Sequence, residues 1–383
     1  MRVLQAYLFF SIKYAGGTSD LMFKICKALE KINVKNTILC GSHEFDYDLS
    51  KKLKKTEFKI FKSYLDKWGF SITPGYFFYL KKEMKNFNVV HMHVYRTFQN
   101  ILLFFFCKIY NVPYIMDAHG SVPFFVKKNY LKKIYDFFIG KKILKDAKYL
   151  IAETQVGVDE YLSLVPNLDK SKIRIISPPF DTDEFEEVFE KNKFRNEQLI
   201  SHGTKIITFL GRIHYIKGVD FLIEGFADFL KKKKDKENYL LCLIGSDDGY
   251  LEEVKKLIKK YNIDKYVKIV GFLSGSAKNH ALFDSDIVVQ LSRQEQGAWA
   301  PIEAVLCGTP IVVTSETGSG EDVKRLNAGA LVNFGDIKKF SEILDDIFNN
   351  YELWKAKTLE AKNYIIKNLS FNSRINEYTD LYK

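Results

Sequence analysis

The stretch SRQEQGAWAPIEAVLCGTPIVV, residues 292–313, sets Glu295 and Glu303 on either side of a glycine, a tryptophan and a proline. A second segment, FLGRIHYIKGVD (209–220), brings Arg212 and Lys217 to a glycine-bearing turn just ahead of an apolar helical pattern that begins at Val219. Two cations beside a helix N-terminus form a receptor for a diphosphate, because the free amides and positive end of the helix add to their charge. Bare carboxylates would be repelled by that diphosphate. They suit hydroxyl groups instead, and sugars present hydroxyls in pairs. On this reading Glu303 takes a ribose diol, Glu295 takes the hydroxyls of a transferred sugar, and the amides between them face phosphate. Either Glu alone is equally an ordinary acid at a helix start, favoured by the macrodipole; their placement together with Arg212 and Lys217 is what points to a site.

Such residues need strand ends to hold them. In the first half, VLQAYLFF, NTILCG, VVHMHV, PYIMDAHG, YLIAET and IRIISPP are short apolar runs, separated by helical-length segments over 19–32, 75–86, 97–110 and 130–146. The second half repeats the scheme with KIITFLGR, YLLCLIGS, YVKIVGF, IVVQLS, PIVVT and ALVNF. Near-continuous apolar strands alternating with helices predict parallel sheets covered on both faces. The expected fold class is therefore α/β, with two Rossmann-like doubly wound parallel-sheet domains facing across a cleft. Boundaries are expected at 1–180 for an acceptor-binding domain, 181–203 for a polar linker, and 204–364 for a nucleotide-binding domain; a last helix, about 365–383, packs back onto the first. Ligands of such sheets bind at the carboxyl ends of the strands, where these motifs lie.

Composition sets the outer bounds. The 383 residues are 46% apolar and 15% aromatic, enough for two sizeable cores. The five cysteines (Cys26, Cys40, Cys107, Cys242, Cys307) are scattered singly in apolar segments, which reads as reduced thiols in a reducing, cytoplasmic setting. MRVLQAYLFFSI reads as a first core strand, and runs such as ILLFFFC are far shorter than the roughly 20 residues of a spanning helix. Charge is uneven. Residues 1–180 hold 29 Lys and Arg against 15 Asp and Glu, whereas 181–383 hold 29 against 32. The basic half interleaves Lys with aromatics in FKSYLDKWGFSITPGYFFYLKKEMKNF and FFVKKNYLKKIYDFFIGKKILKD. That pattern suits peripheral contact with an anionic membrane face, although the same aromatics also fit the buried stripes of ordinary helices. No RRM, KH or helix-turn-helix pattern accompanies the basic residues, so nucleic acid is not an expected partner.

The motifs together resemble the retaining GT-B glycosyltransferases of family 4. The family's G-R-x(4)-K-G element is matched by Gly211, Arg212, Lys217 and Gly218, and its E-x(7)-E element by Glu295 and Glu303, followed by CGTPIVVT. A Gly-rich stretch ending in Glu is similar to ETGSGEDV, with Gly318, Gly320 and Glu321. LIGSDDGY and VKIVGFLS stand where the family has its nucleotide-side loops, which implicates Gly245, Gly271 and Phe272 in donor binding. In the first half, AGGTSD places Gly16 and Gly17 after the first strand, and DAHG places His119 where the family has a histidine beside the transferred sugar. The resemblance implies sugar transfer from a UDP- or GDP-sugar to a glycan or lipid-linked acceptor, with His119, Arg212, Lys217 and Glu295 as the catalytic set.

One position departs from the family. Where members usually show Phe-Gly two and three places after the first Glu, this chain has Gly297 and Ala298, with Trp299 next at the same mouth. DTD (181–183) and DSD (284–286) look like a metal-binding motif, but one lies in the expected linker and the other precedes a strand. No metal and no cofactor are expected; Arg212, Lys217 and helix ends take the cation's place on the leaving diphosphate. The alternatives on the same features are a sugar-nucleotide epimerase or phosphorylase of similar fold, and a non-catalytic basic binding protein, which leaves both glutamates unexplained.

Overall fold

Strands buried on both faces have no polar side to show, and this explains the unbroken apolar runs. The computed structural model describes residues 1–67, 70–123, 129–177, 179–185, 189–297 and 299–383. The chain divides into two compact units, Met1–Pro179 with Phe371–Lys383, and Phe180–Ser370.

In the first unit, β1 (Arg2–Ala6), β2 (Lys35–Gly41) and β3 (Glu57–Phe61) precede an antiparallel hairpin of β4 (Tyr64–Lys67) and β5 (Phe70–Ile72). Then come β6 (Val89–His93), β7 (Tyr114–Asp117), β8 (Tyr149–Ala152) and β9 (Ile173–Ile175). The seven-stranded sheet runs β3-β2-β1-β6-β7-β8-β9, with every pair parallel. Helices α1 (Gly17–Lys31), α2 (Gly75–Glu83), α3 (Phe98–Tyr110), α4 (Asn129–Tyr135), α5 (Lys141–Asp146) and α6 (Gln155–Leu164) cover it, and a π-helical turn, Asp136–Gly140, joins α4 to α5. α2, α3 and α5 share one hydrophobic cluster built on Tyr76, Leu103, Ile143 and Leu144, while α1 packs in another through Met22, Phe23 and Cys26. That division follows from right-handed crossovers, which send the chain to opposite faces as it moves to opposite sides of β1.

The second unit repeats the design with β10 (Lys205–Leu210), β11 (Tyr239–Ile244), β12 (Val267–Gly271), β13 (Ile287–Gln290), β14 (Ile311–Thr314) and β15 (Ala330–Val332). Its parallel sheet is ordered β12-β11-β10-β13-β14-β15. The helices are α7 (Val219–Lys231), α8 (Leu251–Lys260), α9 (Gly275–Phe283), α10 (Trp299–Leu306), α11 (Gly318–Leu326), α12 (Ile337–Asn349) and α13 (Tyr351–Asn368). In α7, Val219, Leu222, Ile223, Phe226 and Leu230 recur at helical spacing and are buried. Gly225 interrupts that helix because a Cβ there would lie 2.3 Å from the Phe340 ring of α12.

Two boundaries differ from the sequence expectation. The stretch 181–203, expected as a linker, carries Phe185, Phe194 and Ile200 into the core of the second unit. Burial of those residues outweighs the exposed charges of Glu190, Lys191 and Glu197, and Arg195 is itself buried on Asp286. Helix α13 stays with the second unit by burying Thr358, Ala361 and Ile365, so the returning helix α14 spans Phe371–Tyr382. The five cysteines are free and buried.

The sheet of the first unit departs from apolar patterning at Gln5, His91 and His93, all buried. Buried polar groups need partners. The Tyr382 hydroxyl of α14 supplies one, lying 3.2 Å from Gln5 Nε2 and 3.0 Å from His91 Nδ1. Tyr382→Phe is expected to lower the stability of the first unit by about 1–3 kcal/mol while leaving the second unit unchanged; amide hydrogen exchange resolved by unit checks this.

Candidate functional site

Each sheet reverses its strand order once, between β1 and β6 and between β10 and β13, and each reversal opens a crevice at the strand ends. In the second unit the crevice is built by glycines in close backbone contact. A Cβ on Gly245 would sit 1.8 Å from the Gly211 carbonyl oxygen, and one on Gly218 1.9 Å from that of Leu291. Gly218 also has φ +64°, which side-chain-bearing residues rarely adopt. The loop after β10 therefore lies directly on the end of β13, and Lys217, in the 3₁₀ turn Tyr215–Lys217, is carried there with it. The amide of Gly211 donates to Ile244 and that of Gly245 to Gly271, which fixes the three strand ends in register.

Lys217 forms an ion pair with Glu295, and both side chains are largely buried. Ser292 Oγ donates to the same carboxylate at 3.0 Å. The loop that carries Glu295 is stapled from the other side: Gly318 N donates to Glu295 O at 2.8 Å, Ser319 Oγ to Gly297 O at 2.9 Å, and Thr314 Oγ1 to Ser292 O at 2.7 Å. Gly320 packs where a Cβ would meet Ser315 O at 2.3 Å. The Gly-rich stretch after β14 thus supports the Glu295 loop.

Arg293, which sequence reasoning passed over, ties this loop to the Lys217 turn. Its guanidinium grips both Asp220 oxygens, at 2.8 and 2.5 Å, and donates to Tyr215 O at 2.6 Å; it also lies 3.8 Å from the centre of the Tyr215 ring. Burial alone would raise the Asp220 carboxyl, yet the hydrogen bonds and charge of Arg293 hold it below its ordinary value. No sequence signal marked this pair, because its members stand on different loops.

Glu303 stands on a separate element, the helix α10. Helix α10 begins at Trp299, so Pro301 and Glu303 sit two residues deeper than a helix starting at the proline would place them. Pro301 remains within the first turn, where its missing N–H breaks no helical bond. Glu303 is buried and pairs with Lys278 of α9 at 2.5 Å. Lys278 is a second residue missed in the sequence, where AKNH reads as an ordinary helical stretch. Arg212 is not brought to Lys217 or Glu295; it pairs with Asp248 at an exposed position. Trp299 lies with its ring 5.6 Å from that of Phe180, Phe272 is exposed after Gly271, and Ala298 falls outside the described residues. Asp284 accepts the amides of Asn192 and Phe194, and Asp286 accepts Ile206 N and Arg195, so both acids of that motif serve the backbone.

In the first unit His119 follows β7 with φ 45°, an uncommon conformation for a side-chain-bearing residue. Its Nδ1 lies 3.3 Å from Asp117 and 3.7 Å from Glu153, while its Nε2 lies 3.0 Å from His93 Nδ1. His93 Nε2 meets Gln5 Oε1 at 2.8 Å, and Gln5 leads on to Tyr382 and His91. The hydrogen-bond senses agree along the whole row if His119 is an imidazolium donating from both nitrogens and His93 is neutral. Burial opposes charge on His119, but Asp117 and Glu153 overcome it and raise its pKa. Burial, with neighbouring His91 and His119, pushes His93 well down, and burial also takes His91 to about 3. Gly16, at φ +62°, and Gly17 open helix α1, and a Cβ on either would meet nothing within 4 Å.

Two predictions follow from this geometry. Arg293→Ala should lower second-unit stability by about 2–3 kcal/mol in denaturant titration, and Arg293→Lys should not restore it, because an ammonium cannot fork onto Asp220. For pH, His91 and His93 are held neutral, so the unfolded chain takes up protons below 6.5 that the folded chain refuses; their stabilisation is present above that pH and lost as it falls toward 3. Asp117, raised to about 6 by burial, works in the opposite sense between 3.8 and 6. His91→Gln is therefore expected to flatten the acid limb of first-unit stability by about 1.4 kcal/mol per pH unit, one proton's worth.

Residues 190–367 match the model of the glycosyl transferases group 1, and residues 15–184 match that of Glycosyltransferase Family 4. An uncharacterized glycosyltransferase of Methanocaldococcus jannaschii is 29% identical over 301 residues, covering 75% of this chain and 73% of the relative. A 2-deoxystreptamine N-acetyl-D-glucosaminyltransferase of Niallia circulans is 23% identical over 311 residues, covering 79% and 78%. The crystal structure of HepE from Anabaena in complex with UDP-glucose superposes with a TM-score of 0.80 over 99% of both chains at 16% identity, a likeness of fold. Two doubly wound units, strand-end motifs and two family models that between them span most of the chain lead to one assignment: this protein belongs to the group 1 (family 4) glycosyltransferases of GT-B fold.

Proposed function

We propose that the protein transfers a sugar from a UDP-sugar to a glycan or lipid-linked acceptor, with retention at the anomeric carbon and without a divalent metal. The observation that carries this reading is the Lys217–Glu295 pair, held at the β10/β13 crevice beside the N-terminus of α7. A cation and a carboxylate in contact are suited to a ligand that brings both an anion and hydroxyls. Lys217 and the α7 amides take the diphosphate, Glu295 takes sugar hydroxyls, and Glu303, held by Lys278, takes the ribose diol. A uridine nucleotide is favoured over guanosine by the UDP-glucose that HepE holds on the same fold.

In the proposed step the bond from the anomeric carbon to the diphosphate oxygen breaks, and its electron pair leaves with the diphosphate. Lys217 and the α7 N-terminus stabilise that growing charge, and Arg212 can join them only by leaving Asp248. The acceptor oxygen bonds to the same face of the sugar and gives its proton to the departing phosphate oxygen. A double displacement would require a carboxylate close beneath the anomeric carbon, and Glu295 is instead engaged with hydroxyls. In the first unit Asp117 and Glu153 favour the protonated form of His119, and the family resemblance gives that residue the role of adding positive charge toward the transferred sugar.

A nucleotide screen by thermal shift tests the donor first. UDP at 100 times its Kd should add about 2.7 kcal/mol to the second unit, roughly 5–10 °C in its transition, while GDP and ADP leave it in place. Lys217→Ala and Glu303→Gln should each reduce kcat/KM by about 10²–10³-fold with the fold retained. Near-normal turnover in both variants overturns the assignment, and UDP-sugar consumption with no net transfer to any acceptor points to an epimerase or phosphorylase instead.

A further inference from the structure

The first unit carries an apolar surface that folding does not account for. Phe137 is 81% exposed and Phe138 73%, and Tyr130 and Leu131 stand exposed on the same rod. Phe78 of α2 and Phe105 of α3 are also exposed, on helices that share one hydrophobic cluster with α5 and so cover the same face of the sheet. Isolated surface aromatics are common, but a series of them on adjacent helices marks a surface meant for contact.

Local geometry shows how the outermost pair is presented. The π turn Asp136–Gly140 inserts an extra residue between α4 and α5, so two consecutive phenylalanines face outward. Its inner side is locked. Arg96 grips Asp136 through contacts of 2.8, 3.0 and 3.2 Å, and the Tyr95 hydroxyl donates to the same carboxylate at 2.8 Å. A Cβ on Gly140 would fall 2.3 Å from that hydroxyl. The two rings touch edge to face with centroids 5.1 Å apart. They are held on a braced turn, not on a free loop.

The charges around them identify the occupant. Lys133, Lys141, Lys142 and Lys145 are exposed along the same rod, and its one exposed acid, Asp146, is paired with Lys108 of α3 at 2.9 Å. Lys81, Lys82 and Lys85 extend the basic border along and just beyond α2. A second copy of this chain meeting the face symmetrically would bring lysine against lysine. A layer of anionic lipid headgroups over acyl chains accepts both halves at once, lysines on phosphate and rings below it. No described helix is long and apolar enough to cross a membrane, so the contact would be superficial. We propose that the outer face of α2, α3 and the α4–α5 rod docks on an anionic lipid surface, with Phe137 and Phe138 as the inserting residues. This deepens the lipid-linked reading of the acceptor and rests on it only for its purpose; the surface itself includes none of the donor residues.

The test is co-sedimentation of the full chain with vesicles of phosphatidylcholine alone or with about a third phosphatidylserine. The expected result is binding that requires phosphatidylserine and weakens with salt. Binding should fall at least tenfold both in Phe137→Ser/Phe138→Ser and in Lys141→Glu/Lys142→Glu, while UDP still shifts the melting of each variant as in the parent. Equal binding to both vesicles, or variants that bind like the parent, overturns the proposal. So does concentration-dependent self-association of the parent that the Phe pair variant abolishes, since that makes a second copy the occupant. Failure of the donor assignment reads out separately, as absence of a UDP shift in the unaltered protein.

Discussion

A carboxylate removed from water must find a cation or a set of hydrogen-bond donors, and this constraint organises both units. Burying an unpaired charge is so unfavourable that the group would neutralise or the site would open. Several such groups are answered by cations. Glu295 has Lys217, Glu303 has Lys278, Asp220 has Arg293, Asp136 has Arg96, and Asp117 and Glu153 share His119. These pairs hold loops that share little other structure. The stretch from Ser292 to Gly297 has no regular secondary structure, yet it is fixed by its ion pairs and by three hydrogen bonds donated by Thr314 at the end of β14 and by Gly318 and Ser319 just beyond it. Pairs of this kind are also exchangeable. A ligand bearing the same charges can replace one partner without leaving the other bare.

The two units apply the same doubly wound plan to different chemistry. In the second, the strands are mostly apolar, with Thr208 and Gln290 buried among them, and Lys217 and Glu295 stand in the loops after β10 and β13. In the first, polarity enters the sheet itself. Gln5, His91 and His93 run a hydrogen-bonded row from His119 to Tyr382 on α14, so a residue near the end of the chain helps to orient one at the end of β7. That row explains why the last helix returns to the first unit: its tyrosine hydroxyl satisfies a sheet that apolar packing alone would leave with orphaned groups.

Much of this architecture was legible in the sequence, for a specific reason. Parallel strands buried on both faces leave apolar runs that can be seen without an alignment, and the glycines at their ends mark where backbones touch. Gly218, Gly245 and Gly320 each sit where a Cβ would overlap a neighbouring carbonyl oxygen. What stayed hidden was pairing across the chain. Arg293 and Lys278 have no local pattern, because their partners Asp220 and Glu303 lie on separate elements. Arg212 was grouped with Lys217 on proximity in sequence, whereas the loop turns it outward to Asp248. The 181–203 stretch misled through its charges, since its few aromatics decide where it packs. The aromatic residues beside the lysines of the first unit were equally open to burial or exposure until the π turn placed Phe137 and Phe138 outside.

The account turns on Lys217 passing from Glu295 to the diphosphate of a donor. A crystal structure grown with UDP tests it most directly. The predicted result places a diphosphate oxygen within about 3 Å of Lys217 Nζ and the ribose hydroxyls on Glu303, with Glu295 freed toward the sugar side. A nucleotide seated away from the ends of β10 and β13, or a Lys217 still bound to Glu295 with UDP beside it, contradicts the account.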